Sequence, residues 1–138
     1  MQEIDIYVDG SFKNGRAIWG FIVIKNNKII YKDRGIILDC DINSIWQVGG
    51  EMLAVVNAIS WCIKNKYKAN IFYDFKGLRA WIADIFSESP WKARNEWTQE
   101  YRKFCLTYKR FIKSFNKVKS HNGDKYNEMV DEYINQKF

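Results

Sequence analysis

Four carboxylates stand where solubility does not require them. Asp9 follows the run IDIYV, and Asp74 follows IFY. An acid at the end of a run that must be buried faces desolvation unless something pairs with it. Glu51 comes directly after Gly49-Gly50, and glycines there let a backbone or a ligand approach closely. Asp131 follows Val130, so on a helix it lies ~100° away, at the margin of the inward stripe. Carboxylates that converge on one spot repel, and a divalent cation relieves the repulsion. A set of hard oxygen ligands favours magnesium or manganese over zinc. Two magnesium ions ~4 Å apart suit in-line displacement at a phosphodiester, one activating water and the other stabilising the leaving oxygen. Taken singly, each acid is more often a cap, a turn residue or a solvated charge. Spacing alone leaves both readings open. The single histidine, His121, sits in SHNGDKYNE, either as an exposed loop residue or as a mobile proton carrier beside such a site.

The elements that must position these residues are readable from periodicity. Ile4, Ile6 and Val8 alternate with Asp5, Tyr7 and Asp9, which predicts a strand over 3–9 stopped by Gly10-Ser11. A second strand is expected over 17–25, a tight Asn26-Asn27 turn, and a third strand over 28–37. After a polar stretch from Asp39 to Gly50, Met52, Val55, Val56, Ile59 and Ile63 recur at helical spacing over 51–65, with Glu51 as the first helical residue. A strand over 69–74, a short helix over 75–86 and a helix from Trp91 to Tyr108 follow. A last strand over 111–119 and a final helix from near Asp124 complete the chain. The order β-β-β-α-β-α-α-β-α implies an α/β fold. Its mixed five-stranded sheet has three antiparallel strands, then two parallel ones, with helices on both faces. Ligands in such sheets bind beyond the carboxyl ends of parallel strands, where Asp9 and Asp74 would lie side by side.

The 138 residues predict a single domain over 1–138. Apolar residues make up 47% and aromatics 17%, which excludes a disordered chain. Cys40, Cys62 and Cys105 are too few and too far apart for a disulfide framework or a cysteine zinc site, which fits a reducing cytoplasm. The start, MQEIDIYVDG, is too polar for a signal peptide, and the apolar run from Ala17 to Ile24 is far short of the ~20 residues of a membrane span. Lys and Arg number 22 against 16 Asp and Glu, a net charge of +6, which suits either a cationic surface or a polyanionic partner. Residues 91–119 interleave base and aromatics, and Lys92 and Lys119 are the candidates there for phosphate contact, with binding that weakens steeply in salt.

In sequence order, IYVDGS, GGEMLAVVNAI, IFYDFKGLRAW and VKSHNGDKYNEMVDE resemble a type 1 ribonuclease H, over about residues 3–136. The likeness is to bacterial forms without the N-terminal hybrid-binding domain. It implies the ribonuclease H-like fold and an endonuclease that cuts the RNA strand of RNA–DNA hybrids with two Mg2+ ions, Mn2+ able to substitute, leaving 5′-phosphate ends. Asp9, Glu51, Asp74 and Asp131 match the family's metal-binding carboxylates, and His121 its loop histidine. Gly10 and Ser11 match backbone that runs beside the RNA, and Gln47 falls loosely among the residues that touch 2′-hydroxyls. The chain departs from the family pattern at Gln47-Val48-Gly49-Gly50, which replaces an asparagine-rich segment, and at Phe75-Lys76, which replaces Ser-Gln. The basic protrusion shrinks to Trp91-Lys92-Ala93-Arg94. A soluble cytoplasmic monomer acting on hybrid, with no membrane and no obligate protein partner, is the resulting expectation. Two other readings stay open: a DNA nuclease or integrase-like enzyme on the same fold, and a nucleic-acid-binding module that does not cleave.

Overall fold

The structure is a computed structural model that describes residues 1–37, 47–118 and 124–138. Strands β1 (Gln2–Lys13), β2 (Arg16–Lys25) and β3 (Lys28–Ile37) form an antiparallel meander. Helix α1 (Gln47–Asn65) crosses over to β4 (Tyr67–Tyr73), which pairs parallel to β1. Helix α2 (Gly77–Ala80), a 3-10 turn at Ala83–Phe86 and helix α3 (Glu96–Thr107) lead to β5 (Ile112–Lys117), parallel to β4. Helix α4 (Lys125–Asn135) follows. The five strands lie in the order β3-β2-β1-β4-β5. This is the expected α/β architecture, with parallel pairing where helices make the crossovers.

Alternation along β1 divides the molecule into two layers. Ile4, Ile6 and Val8 join the larger core with Val55 and Ile59 of α1, Leu78 of α2, Cys105 of α3 and Phe115 of β5. Tyr7 points the other way, into a smaller core with Ile22, Ile24 and Val130 of α4. Helices therefore cover both faces. At the hairpin, Asn26 and Asn27 both take positive φ, 53° and 62°, the left-handed pair that a two-residue turn between right-twisted strands requires. Among the described residues no helix is long and apolar enough to cross a membrane.

Five boundaries differ from those the sequence suggests. Strand β1 continues past Gly10-Ser11 to Lys13, because β2 supplies partners for both residues: Gly10 faces Trp19 and Ser11 faces Ile18. Asp9 is thus inside the strand, and Asp74 lies just after β4 rather than within it. Helix α1 begins at Gln47, so Glu51 is in its second turn and Gly49-Gly50 are helical. The helix expected from Trp91 starts at Glu96. Asn95 caps it by accepting the Thr98 N–H at 2.9 Å, while Thr98 in turn bonds the Asn95 backbone, so the chain before Asn95 is released from helical geometry. The expected helix over 75–86 splits into α2 and the 3-10 turn.

Gly50 of α1 and Gly10 of β1 are explained by what touches them. A Cβ on Gly50 would lie closer than 3.0 Å to the Ile18 carbonyl oxygen, and the Gly10 Cα stands 3.3 Å from that position. A Cβ on Gly10 would in turn lie closer than 3.0 Å to the backbone of Gly50 and Glu51. Helix α1 therefore rests directly on the backbone of β1 and β2. These neighbours are main-chain atoms, which cannot swing aside. Gly10→Ala is expected to cost about 1–3 kcal/mol by overpacking, read as a lower midpoint in urea unfolding. An unchanged midpoint would contradict the contact.

Candidate active site

Asp9 lies on the α4 face of β1, in register with Tyr7, while Gly10 lies on the α1 face. The β1–β4 pairing runs to Tyr7 opposite Phe72, and two residues further along each chain come Asp9 and Asp74. The two acids thus share one end of neighbouring parallel strands. Glu51 reaches them from the opposite face because Gly10 has no side chain to hold α1 away.

Asp131 arrives by a matching device. Asp9 pairs across strands with Gly20, and a Cβ on Gly20 would collide with the Ile134 side chain of α4. Ile134 is one turn beyond Asp131 on the same helix face. The bare backbone at Gly20 lets α4 settle onto β2 and brings Asp131 near enough for its charge to raise the cost of ionising Asp9. Sequence reading missed Gly20. The available signal was a lone glycine inside the bulky run AIWGFIVIK, a sign of close approach by another element.

Two of these acids bury negative charge that no cation among the described residues offsets. Asp9 and Glu51 are buried at 9% and 6% exposure. Burial first, then the neighbouring Asp131 and Asp74, push the Asp9 carboxyl up to about 7, against the lowering effect of the Gly10 N–H that donates to its Oδ1 at 2.8 Å. Burial, Asp9 and Asp74 push Glu51 up to about 9. Glu51 Oε2 is buried with no hydrogen-bond partner among the described residues. No described lysine or arginine is among the groups that shift either acid. Buried charges of one sign are tolerated when a cation joins them. The donors are all hard oxygens, which suits Mg2+ or Mn2+ and disfavours zinc. Among the described residues no three His, Cys, Asp or Glu side chains stand together as a metal-ligand set.

The other expected site residues are distributed around this corner. Ser11 continues β1, and its Oγ is buried without a described partner. Gly10 packs against α1. Gln47 is the first residue of α1. Lys92 is exposed in the segment before α3, beside Trp91, whose ring meets Trp81 edge-on at 6.3 Å. Lys119 and His121 lie outside the described residues.

Comparison with known proteins places this arrangement in context. No family model matches the chain. The chain is 28% identical to a ribonuclease H of Neorickettsia sennetsu, over 95% of this chain and 89% of the relative. It is 32% identical to the holo form of a ribonuclease H domain from Desulfitobacterium hafniense, covering 96% of this chain and 86% of that one, with a TM-score of 0.57. A compost-derived ribonuclease H1, LC11, solved in complex with an RNA/DNA hybrid, matches 95% of this chain and 96% of its own at a TM-score of 0.70 and 13% identity, a likeness of fold.

Raised carboxyl pKa values carry a stability consequence. A buried acid that prefers to be protonated costs nothing below its unfolded pKa, 4.5 for Glu51 and 3.8 for Asp9, and destabilises the fold as pH climbs toward about 9 and about 7. Metal-free protein should therefore lose thermal stability between about pH 5 and pH 9, and Glu51→Gln should flatten much of that fall. Magnesium should raise the melting temperature more at the alkaline end, since it binds the ionised form. A melting temperature that rises with pH in EDTA would contradict the assignment of uncompensated charge.

Proposed function

The chain belongs to the ribonuclease H family, and from that premise we propose that it hydrolyses the RNA strand of RNA–DNA hybrids at the Asp9, Glu51, Asp74 and Asp131 corner. The observation that carries this reading is the pair of buried carboxylates, Asp9 and Glu51, brought into one corner with Asp74 acting on both, Asp131 acting on Asp9, and no described cation to offset them. Such a cluster is costly to keep for stability alone. Its use is to hold divalent cations against a phosphodiester.

Asp9 and Asp74, side by side at the end of the parallel strands, would ligate both ions of a pair. Glu51 would hold the ion on the nucleophile side and orient the attacking water, and Asp131 would complete the other ion's ligands. When bound, two Mg2+ or Mn2+ ions supply an activated water and offset charge on the scissile phosphate. The Gly10 N–H, by donating to Asp9 Oδ1, fixes which oxygen of Asp9 faces the site. Burial of Asp9 and Glu51 keeps their ligand atoms from reorganising during reaction. Attack on phosphorus with departure of the 3′ oxygen leaves a 5′-phosphate, and His121 would carry a proton to or from this centre. A-form-like hybrid is recognised by shape, phosphates and 2′-hydroxyls, which suits a protein with an excess of base and no reading helix. Gly10, Ser11, Gln47, Lys92 and Lys119 are the proposed contacts.

Digestion of a hybrid labelled on each strand tests the proposal. In magnesium the RNA strand should be cut and the DNA strand spared, and EDTA should stop the reaction. Asp9→Asn and Asp74→Asn should each lower turnover by at least ~1000-fold while retaining hybrid binding, the scale expected when a group acting in the transition state is removed. His121→Ala should slow cleavage by ~10–100-fold without ending it. Normal turnover by Asp74→Asn would overturn the site, and cutting of duplex DNA in preference to hybrid would favour the integrase-like reading.

A further inference from the structure

Past Asp74 the same sheet rim opens into a cleft of about 340 Å3 between the ends of β4 and β5, helix α2 and the segment around Trp91. Tyr73, Lys76, Arg79, Glu88, Trp91 and Lys117 line it. Lys117 lies directly opposite Tyr73 in the β4–β5 register, and Lys76 follows Asp74 by two residues. Three cations thus face one acid.

That acid is already engaged. Glu88 takes both prongs of the Arg79 guanidinium, one of them from Nη2 to Oε2 at 3.1 Å, and the guanidinium lies over the Phe86 ring at 4.7 Å. Lys76 is exposed, with its Nζ 5.5 Å from the centroid of the Trp91 ring, so an aromatic face orients the ammonium without neutralising it. Lys117 is exposed as well. Among the described residues neither lysine forms an ion pair. Two free ammonium groups and a fixed guanidinium in one concave site concentrate positive potential, and their complement is an anion.

We propose that this cleft is a phosphate-binding subsite, taking one backbone phosphodiester of the substrate strand close to the point of cleavage. The inference rests on the reading above, that a nucleic-acid strand crosses the carboxylate rim. Adjacent strands are ~4.8 Å apart, so β5 stands ~5–10 Å from the acids of β4 and β1 along the rim. At ~3.4 Å of axis per nucleotide that is about one to three nucleotides from the cut. The subsite has a physical purpose there. Four carboxylates repel a polyanion, and an adjoining pair of lysines offsets the repulsion where the strand must be held. Lys76 and Lys117 contact the phosphate as point charges, and Arg79 is a positioning residue, locked by Glu88.

The test uses hybrid binding in EDTA across a salt series, comparing wild type with Lys76→Gln/Lys117→Gln. A control, Lys28→Gln/Lys64→Gln, removes the same charge at the opposite end of the sheet and of α1. The cleft variant should weaken binding several-fold and lower the slope of log affinity against log salt by about 1–2, while the control changes neither appreciably. A second arm leaves the protein untouched. One neutral methylphosphonate is walked along each strand of the hybrid, and a single position within about three nucleotides of the cut should weaken wild-type binding and have no further effect on the cleft variant. A wild type that cuts hybrid while the cleft variant behaves like the control, or the absence of any such phosphate position, overturns the subsite alone. A wild type that neither binds nor cuts hybrid overturns the underlying reading and the subsite with it.

Discussion

The rest of this molecule is arranged around a repulsion. Asp9 and Glu51 are buried in the same corner, Asp9 and Asp74 raise the cost of ionising Glu51, Asp131 and Asp74 raise that of Asp9, and no described side chain of opposite charge relieves them. What holds them there is backbone, not salt bridges. Gly10 on β1 and Gly50 on α1 meet without side chains, so a helix from one face delivers Glu51 across the strand that carries Asp9. Gly20 does the same for α4 from the other face, through Ile134. Three positions without a Cβ bring two helices and two strands to one point. The two hydrophobic cores then fix those helices, the larger holding α1 and the smaller holding α4.

Much of this was legible in the sequence, and the limits have physical causes. The strand alternation of β1, the Asn26-Asn27 turn and the apolar spacing of α1 are local, and each element forms where its period predicts. The parallel pairing of β1 with β4 follows from the crossover. Asp74 lies just past the end of β4 as its position suggests, but Asp9 is inside β1 and Glu51 and Asp131 are inside helices. The errors fall where tertiary contacts overrule local preference. Gly10-Ser11 reads as a stop, but β2 continues to pair with it. Gly49-Gly50 reads as a loop, but both are helical, and Gly50 is where α1 touches the strands. The start of α3 had its own local signal in Asn95 and Thr98, hidden behind the aromatic and basic residues that precede it. Gly20 and the cleft at Lys76 and Lys117 depend on which elements become neighbours, and no single segment contains that information.

Charge completes the account. The excess of 22 basic over 16 acidic residues looks modest until the four acids of the corner are set aside. The remaining surface is markedly cationic, and its lysines beside Trp91 and at the ends of β4 and β5 sit along the same rim as the carboxylates. On the proposed function, a polyanion drawn to that surface would meet the acids only where ions are held, with affinity spread over the surface and chemistry confined to one point.

The central claim is that the four carboxylates act as one divalent-cation site. Titration of the isotope-labelled protein with substoichiometric Mn2+ addresses it directly, since a paramagnetic ion broadens the resonances nearest to it. The account predicts that the amides of Asp9, Glu51, Asp74 and Asp131 broaden first and together, and that excess Mg2+ restores them. Broadening that begins elsewhere on the surface, or that reaches these four residues independently of one another, would contradict it.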